Sequence, residues 1–127
     1  MCHQTVSLTA RILEAHGIAT VIVGAAYDIV TWCGVPRFVY NDLPLGNPLG
    51  RPNDRQTQMA SVDTAISLIE SATEPTIIET DVRWSSDDSW KQAYMKVDSS
   101  NRELLAQMGE ARRRERRELK EKGLRRI

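Results

Sequence analysis

The segment Ile18-Ala19-Thr20-Val21-Ile22-Val23-Gly24 decides the fold. Its apolar, β-branched residues run on without polar alternation, the composition of a strand buried on both faces of a parallel sheet. Reading outward toward the C-terminus, Ala25 to Trp32 predicts a short helix closed by Cys33-Gly34, and Arg37-Phe38-Val39-Tyr40 predicts a second strand. Reading outward toward the N-terminus, Val6, Ala10 and Leu13 repeat at spacings of four and three, with Ile12 beside them, and Gly17 stands where a helix C-cap belongs. Helix, strand, helix, strand in that order implies parallel pairing through crossovers.

Beyond the second strand lies Leu43-Pro44-Leu45-Gly46-Asn47-Pro48-Leu49-Gly50-Arg51-Pro52, a duplicated Pro-Leu-Gly unit that belongs to neither helix nor strand. Asn53 or Asp54 then caps a helix marked by Met59, Val62, Ile66 and Ile69. Pro75 precedes a third strand, Thr76 to Thr80, and a fourth short element is expected near Val82. Ser85-Ser86-Asp87-Asp88 signals a helix through Trp90, Ala93, Tyr94 and Val97. Asp98-Ser99-Ser100-Asn101 breaks it and starts a last helix, from about Arg102 to Lys122, whose apolar positions thin out after Met108 and form no heptad seam. The expected fold is α/β: a small parallel, Rossmann-like sheet flanked by helices over residues 1–83, with a protruding basic C-terminal helix in an extension over residues 84–127.

With 127 residues, 41% apolar and 27% charged, the chain has an ordinary globular composition. No apolar run approaches the roughly 20 residues that cross a bilayer. The N-terminus lacks the charged and apolar regions of a secretory signal, so a cytoplasmic protein is expected. The zero net charge hides a split: from Arg102 onward ten basic and five acidic residues give +5, leaving −5 on residues 1–101. Such asymmetry marks either a docking tail or a solvated helix of mixed charge. The run Arg112-Arg113-Arg114-Glu115-Arg116-Arg117 carries charge for nucleic acid, but interspersed glutamates and the lack of aromatic residues in the tail place an acidic protein surface ahead of it.

Chemistry concentrates at Cys2-His3-Gln4-Thr5. A thiol at a helix N-terminus faces unpaired N–H groups and the positive end of the helix dipole, both of which favour the thiolate. Thr5 follows one turn later, and His3 adjoins the sulfur. The pattern suits a nucleophilic or redox thiol, against the plainer reading of an incidental cysteine at a frayed end. Cys33 reads as a small core residue, with pairing to Cys2 as the alternative. Two cysteines are too few for a disulfide framework. Two histidines, His3 and His16, without a carboxylate cluster, make no metal site, and no cofactor motif is present. The Pro-Leu-Gly loop lacks a phosphate-binding fingerprint. It serves either as a rigid turn or to aim amides at an anion near the next helix start, with Arg51 and Arg55 nearby.

Taken together, Cys2-His3-Gln4-Thr5-Val6-Ser7-Leu8, Glu14-Ala15-His16-Gly17-Ile18-Ala19-Thr20-Val21, Gly34-Val35-Pro36-Arg37 and Pro44-Leu45-Gly46-Asn47-Pro48-Leu49-Gly50 resemble the C-terminal part of the selenoprotein B family of glycine, sarcosine, betaine and D-proline reductases. The likeness covers about residues 2–72. In that family a selenocysteine precedes a Cys-x-x-Thr element, and the selenol attacks a small-molecule substrate in reductive cleavage of a carbon–heteroatom bond. Cys2 and Thr5 match the second half of the motif; the selenocysteine position falls before Met1, together with the family's upstream half. The resemblance implies a small subunit of a heteromeric reductase-like complex, active with a second protein subunit that supplies that half. Cys2 would be the nucleophile or resolving thiol, Thr5 its hydrogen-bond donor and His3 a proton shuttle or local cation, with Pro44, Gly46, Asn47, Gly50 and Arg51 lining the same site. The alternative is a non-catalytic assembly subunit docking through its C-terminal helix. A narrow sheet missing half its strands leaves an edge to be covered in either case.

Overall fold

The computed structural model of the chain describes residues 2–123. Contacts divide the chain into two compact units, Met1–Lys91 and Gln92–Ile127. The first is an α/β body. Helix α1 (Cys2–Ala15) leads into β1 (Ile22–Gly24), α2 (Tyr27–Cys33) into β2 (Arg37–Tyr40), and α3 (Arg55–Ser71) into β3 (Thr76–Glu79). The sheet has three strands in the order β1-β2-β3, all parallel, with Phe38 of the central strand beside Ile22 and Ile77. A short α4 (Ser89–Ala93) and a long α5 (Arg102–Glu121) follow.

Side chains alternate across a strand, so paired residues in parallel register share a face. On one face Ile22 and Phe38 pack with Ala10 of α1, Val30 of α2 and Val35, and Tyr40 adds to them. On the other, Val39 packs with Ala65 and Leu68 of α3, flanked by Val21, Val23 and Ile78. Phe38 and Val39 are fully buried, as the middle of a covered sheet requires. Since the chain steps the same way across the sheet twice, yet α2 and α3 lie on opposite faces, the two crossovers have opposite hands. One of them therefore departs from the usual right-handed rule.

Two polar knots fasten the helices. Near the amino ends of the strands, Glu14 of α1 accepts from Thr20 and forms a 2.8 Å ion pair with Arg37 of β2. Burial alone would raise the Glu14 carboxyl, but hydrogen bonds from the Thr20 hydroxyl and N–H, with the Arg37 charge, outweigh it and hold the group below its ordinary value of 4.5. At the carboxyl ends, Asn41 is buried completely, and its amide donates to Ser61 Oγ of α3 at 2.9 Å and to the Pro48 carbonyl at 2.8 Å.

Both long helices of this body turn small residues to the sheet. α1 buries Ser7 and Ala10, whereas the expected stripe residues Val6 and Leu13 are exposed, with Leu8 and Ile12. α3 buries Ser61, Ala65 and Leu68, and Met59 and Ile66 of its expected stripe are exposed. Short side chains let a helix approach the sheet closely, and the bulkier row is left pointing away. The C-cap at Gly17 forms as expected: its φ is +79°, and Ile18 N–H donates to Leu13 O at 3.0 Å.

Two expectations need correction. No strand forms near Val82, whose N–H donates instead to the Thr80 hydroxyl at 3.3 Å. The helix expected through Val97 stops at Ala93, because Met95 takes a left-handed φ of 54° and Asn101 draws the Lys96 carbonyl into a side-chain bond of 2.8 Å. Cys33 is a buried free thiol, as expected of a small core residue, and Cys2 is an exposed one, so the alternative Cys2–Cys33 pairing does not form. In the second unit α5 begins at Arg102 as expected. None of its described residues is buried, and Leu104, Leu105 and Met108 are exposed along it. The end of the expected extension, residues 124–127, lies outside the described residues, as does Met1. Among the described residues no helix is long and apolar enough to cross a membrane.

Candidate functional site

Cys2 is the first residue of α1, so its sulfur sits at the positive end of a helix of 14 residues. The His3 ring turns back from the same end. Nδ1 stands 3.8 Å from Cys2 Sγ, and Nε2 accepts the N–H of Ala25 at 3.3 Å. Ala25 follows the last residue of β1, so that bond fixes the ring over the carboxyl end of the sheet. Gly24 makes this approach feasible: a Cβ there would lie 3.0 Å from His3 Cδ2 and 3.5 Å from Phe38. Thr5 is exposed one turn along α1, and its carbonyl accepts from the Thr9 hydroxyl at 2.9 Å. The structure thus brings Cys2 and His3 together, and places both where open parallel sheets commonly bind ligands.

The duplicated loop folds as three successive turns. Asn47 N–H donates to Pro44 O at 3.0 Å, Gly50 N–H to Asn47 O at 3.3 Å, and Asp54 N–H to Arg51 O at 3.2 Å. Sequence duplication does not become structural repetition: Gly46 is the third residue of its turn, at φ +99°, whereas Gly50 is the last residue of the next. Arg51 is exposed and its guanidinium carbon lies 5.7 Å from the centre of the Trp84 ring. The start of α3 is already occupied by its own carboxylate, since Asp54 accepts from Thr57 N–H at 3.1 Å and from its hydroxyl at 2.7 Å. Those two bonds hold the Asp54 carboxyl below its ordinary value. An anion at this helix end would compete with that side chain.

Sequence reasoning missed the residue that organises the loop. Asn41 donates its N–H to Gly24 O at 3.0 Å and binds the Pro48 carbonyl and Ser61 through its amide, while its Oδ1 accepts the Thr80 hydroxyl. It joins the carboxyl ends of all strands to the loop, and only the position after a strand hinted at such a role. An aromatic trio was missed as well. Tyr27 packs edge-on to Tyr40 with centroids 5.2 Å apart, and Phe38 lies 6.0 Å from Tyr40, on the face where His3 sits. Burial first, and then the neighbouring Asp42 carboxylate, raise the Tyr40 hydroxyl above its ordinary value. Asp42 itself pairs with Lys91. The loop is fastened on the α3 face and Cys2 stands on the α1 face, so the Gly24–Asn41 bond is the link described between them.

An open cleft of about 410 Å³ lies beside α3, lined by Thr57, Thr64, Thr80, Asp81 and Arg83 among others. A second, of about 440 Å³, lies between α1 and α2, where Gln4, Ile29, Cys33 and the 93% exposed Trp32 face one another. Among the described residues no group of three or more His, Cys, Asp or Glu side chains is arranged to hold a metal ion.

No family model matches the chain, and no solved structure matches it. Among curated proteins, D-proline reductase subunit gamma of Acetoanaerobium sticklandii is 34% identical to it over 70 residues, which is 54% of this chain and 29% of that subunit. The chain therefore spans under a third of the relative's length, and the similarity marks a distant relationship to that reductase.

Proposed function

We propose that this chain is a subunit of a reductase-type complex, and that Cys2 acts in reductive cleavage of a carbon–heteroatom bond in a small molecule. The observation that carries the reading is an exposed thiol at a helix N-terminus, beside an anchored histidine, in a chain 34% identical over 70 residues to a D-proline reductase subunit. Cleaving such a bond reductively consumes two electrons and two protons, which two thiols supply when they become a disulfide. The described chain has one exposed thiol, because Cys33 is buried. On this reading a partner polypeptide carries the second thiol or selenol and covers the edges that β1 and β3 leave open among the described residues. In this reading residues 1–83 are the reductase-like domain and residues 84–127 an extension. Thr5 donates to the sulfur, His3 assists it, and Pro44, Gly46, Asn47, Gly50 and Arg51 border the substrate, all in the cytoplasm. Cys2→Ser in the purified complex should abolish turnover and leave assembly intact; undiminished turnover would remove Cys2 from the chemistry.

One observation favours a second reading, an assembly subunit without chemistry of its own. α5 exposes Leu104, Leu105 and Met108 beside a basic run, the makings of a docking helix. On that reading, deleting residues 102–127 dissolves the complex and Cys2→Ser changes nothing.

A further inference from the structure

We infer that His3 is a positioning residue locked in one tautomer by the strand end beneath it, so that it presents a hydrogen to the Cys2 sulfur rather than accepting one. The inference rests on the reading of Cys2 as the working thiol and sharpens the part played by its neighbour.

A backbone N–H is a donor and nothing else. Where Ala25 N–H points at His3 Nε2, 3.3 Å away, that nitrogen must offer its lone pair. A neutral imidazole carries one N–H, which is then on Nδ1, the nitrogen 3.8 Å from Cys2 Sγ. A hydrogen aimed at sulfur is worth most when the sulfur is anionic, and the N-terminus of α1 acts on it in the same sense. The proton that leaves Cys2 is therefore taken by another group, from solvent, substrate or partner.

Gly24 completes the device. Its Cβ would fall 3.0 Å from His3 Cδ2 and 3.3 Å from Nε2. Its φ lies outside the left-handed region, so alanine suits the backbone there and only the ring would have to move. Glycine at this strand end is thus a spacer for a histidine 21 residues earlier in the chain.

The test uses the full chain with 15N-labelled histidine. Two-bond proton–nitrogen correlation spectra report which ring nitrogen is protonated, with His3 assigned by its loss in His3→Asn. In parallel, alkylation of Cys2 by iodoacetamide at one fixed pH is followed by peptide mass. We expect the Nδ1–H pattern for His3. Gly24→Ala and His3→Gln should each slow alkylation about three- to tenfold, the scale of one hydrogen bond of ordinary net strength. His3→Asn should keep most of the rate, because its amide nitrogen falls where Nδ1 was. The double variant Gly24→Ala/His3→Gln should be no slower than His3→Gln alone. An Nε2–H pattern, a Gly24→Ala rate equal to the parent's, or an Asn variant as slow as the Gln variant would overturn the inference. If Gly24→Ala does not fold by circular dichroism, the spectrum and the His3 pair decide it. Turnover that survives Cys2→Ser would instead remove the catalytic reading, leaving tautomer and alkylation rates as they are.

Discussion

The two faces of the sheet are held by different chemistry at opposite ends. On the α1 and α2 face, the knot is ionic: Glu14, Thr20 and Arg37 tie the end of α1 to the strands' amino ends. On the α3 face, it is neutral: Asn41 binds Ser61 and Pro48 at the carboxyl ends. The apolar clusters differ too, with an aromatic residue, Phe38, at the heart of one and aliphatic side chains in the other. The Glu14 knot answers to acid and the Asn41 knot does not, although both belong to one small sheet. The end of the first face left free of its ionic knot is the one that carries Cys2 and His3.

The sharpest way to break this comparison is to empty each cluster in turn. Phe38→Ala should cost about 3–5 kcal/mol and Leu68→Ala about 2–5 kcal/mol, read from denaturant midpoints. Equal losses at all temperatures and denaturants would mean that the faces melt as one. Next comes Asn41→Ala, expected to cost about 1–3 kcal/mol by stranding Ser61 and the Pro48 carbonyl, with the same loss at pH 4 and pH 7. A strong pH dependence of that loss would deny the neutral character of its knot.

Glu14→Gln should cost less, about 1–2 kcal/mol at pH 7, and its signature is the pH at which the loss vanishes. The Glu14 carboxyl is held below 4.5 in the folded chain. Its stabilisation is thus fully present above that ordinary value and disappears as pH falls through the lower folded value, where both states bind the proton. Urea titrations from pH 7 to pH 3 should show parent and variant converging in acid. The smallest effect belongs to the outward row of α1: Ile12→Ser should change the melting of the chain by no more than about 0.5 kcal/mol. The same variant should weaken co-purification of a partner, since a 62% exposed isoleucine has little to lose until something covers it.

Much of the architecture was legible because strands and caps are local. The run Arg37 to Tyr40 is β2 residue for residue; Gly17 and Gly34 close helices with left-handed φ; and the Asp54 cap starts α3. What periodicity could not tell was which side of a helix faces in. It weighs bulk, and so beside Ala10 it chose Val6 and Leu13, and on α3 Met59 and Ile66, while the sheet also takes Ser7, Ser61, Ala65 and Leu68. The knots were beyond reach for a different reason. Glu14 meets Arg37, and Asn41 meets Thr80, across separations at which a single sequence gives no pairing signal. At the candidate site the closeness of Cys2 and His3 was legible as adjacency. The amide of Ala25 that orients the ring, and the glycine that admits it, were not.

The opposite hands of the two crossovers also decide where this body can accept more structure. With α2 on one side and α3 on the other, the α3 face is packed against residues of all three strands, whereas on the opposite face α1 and α2 pack on β1 and β2 and leave β3 bare. Ile77 is the residue found there, on the Phe38 face and 45% exposed, in a strand whose next residue, Ile78, is sheltered. A chain that wound both connections alike would have roofed that spot and bared the Val39 side. The departure from common winding therefore leaves an apolar berth one helix wide beside β3, diagonally across the sheet from the thiol.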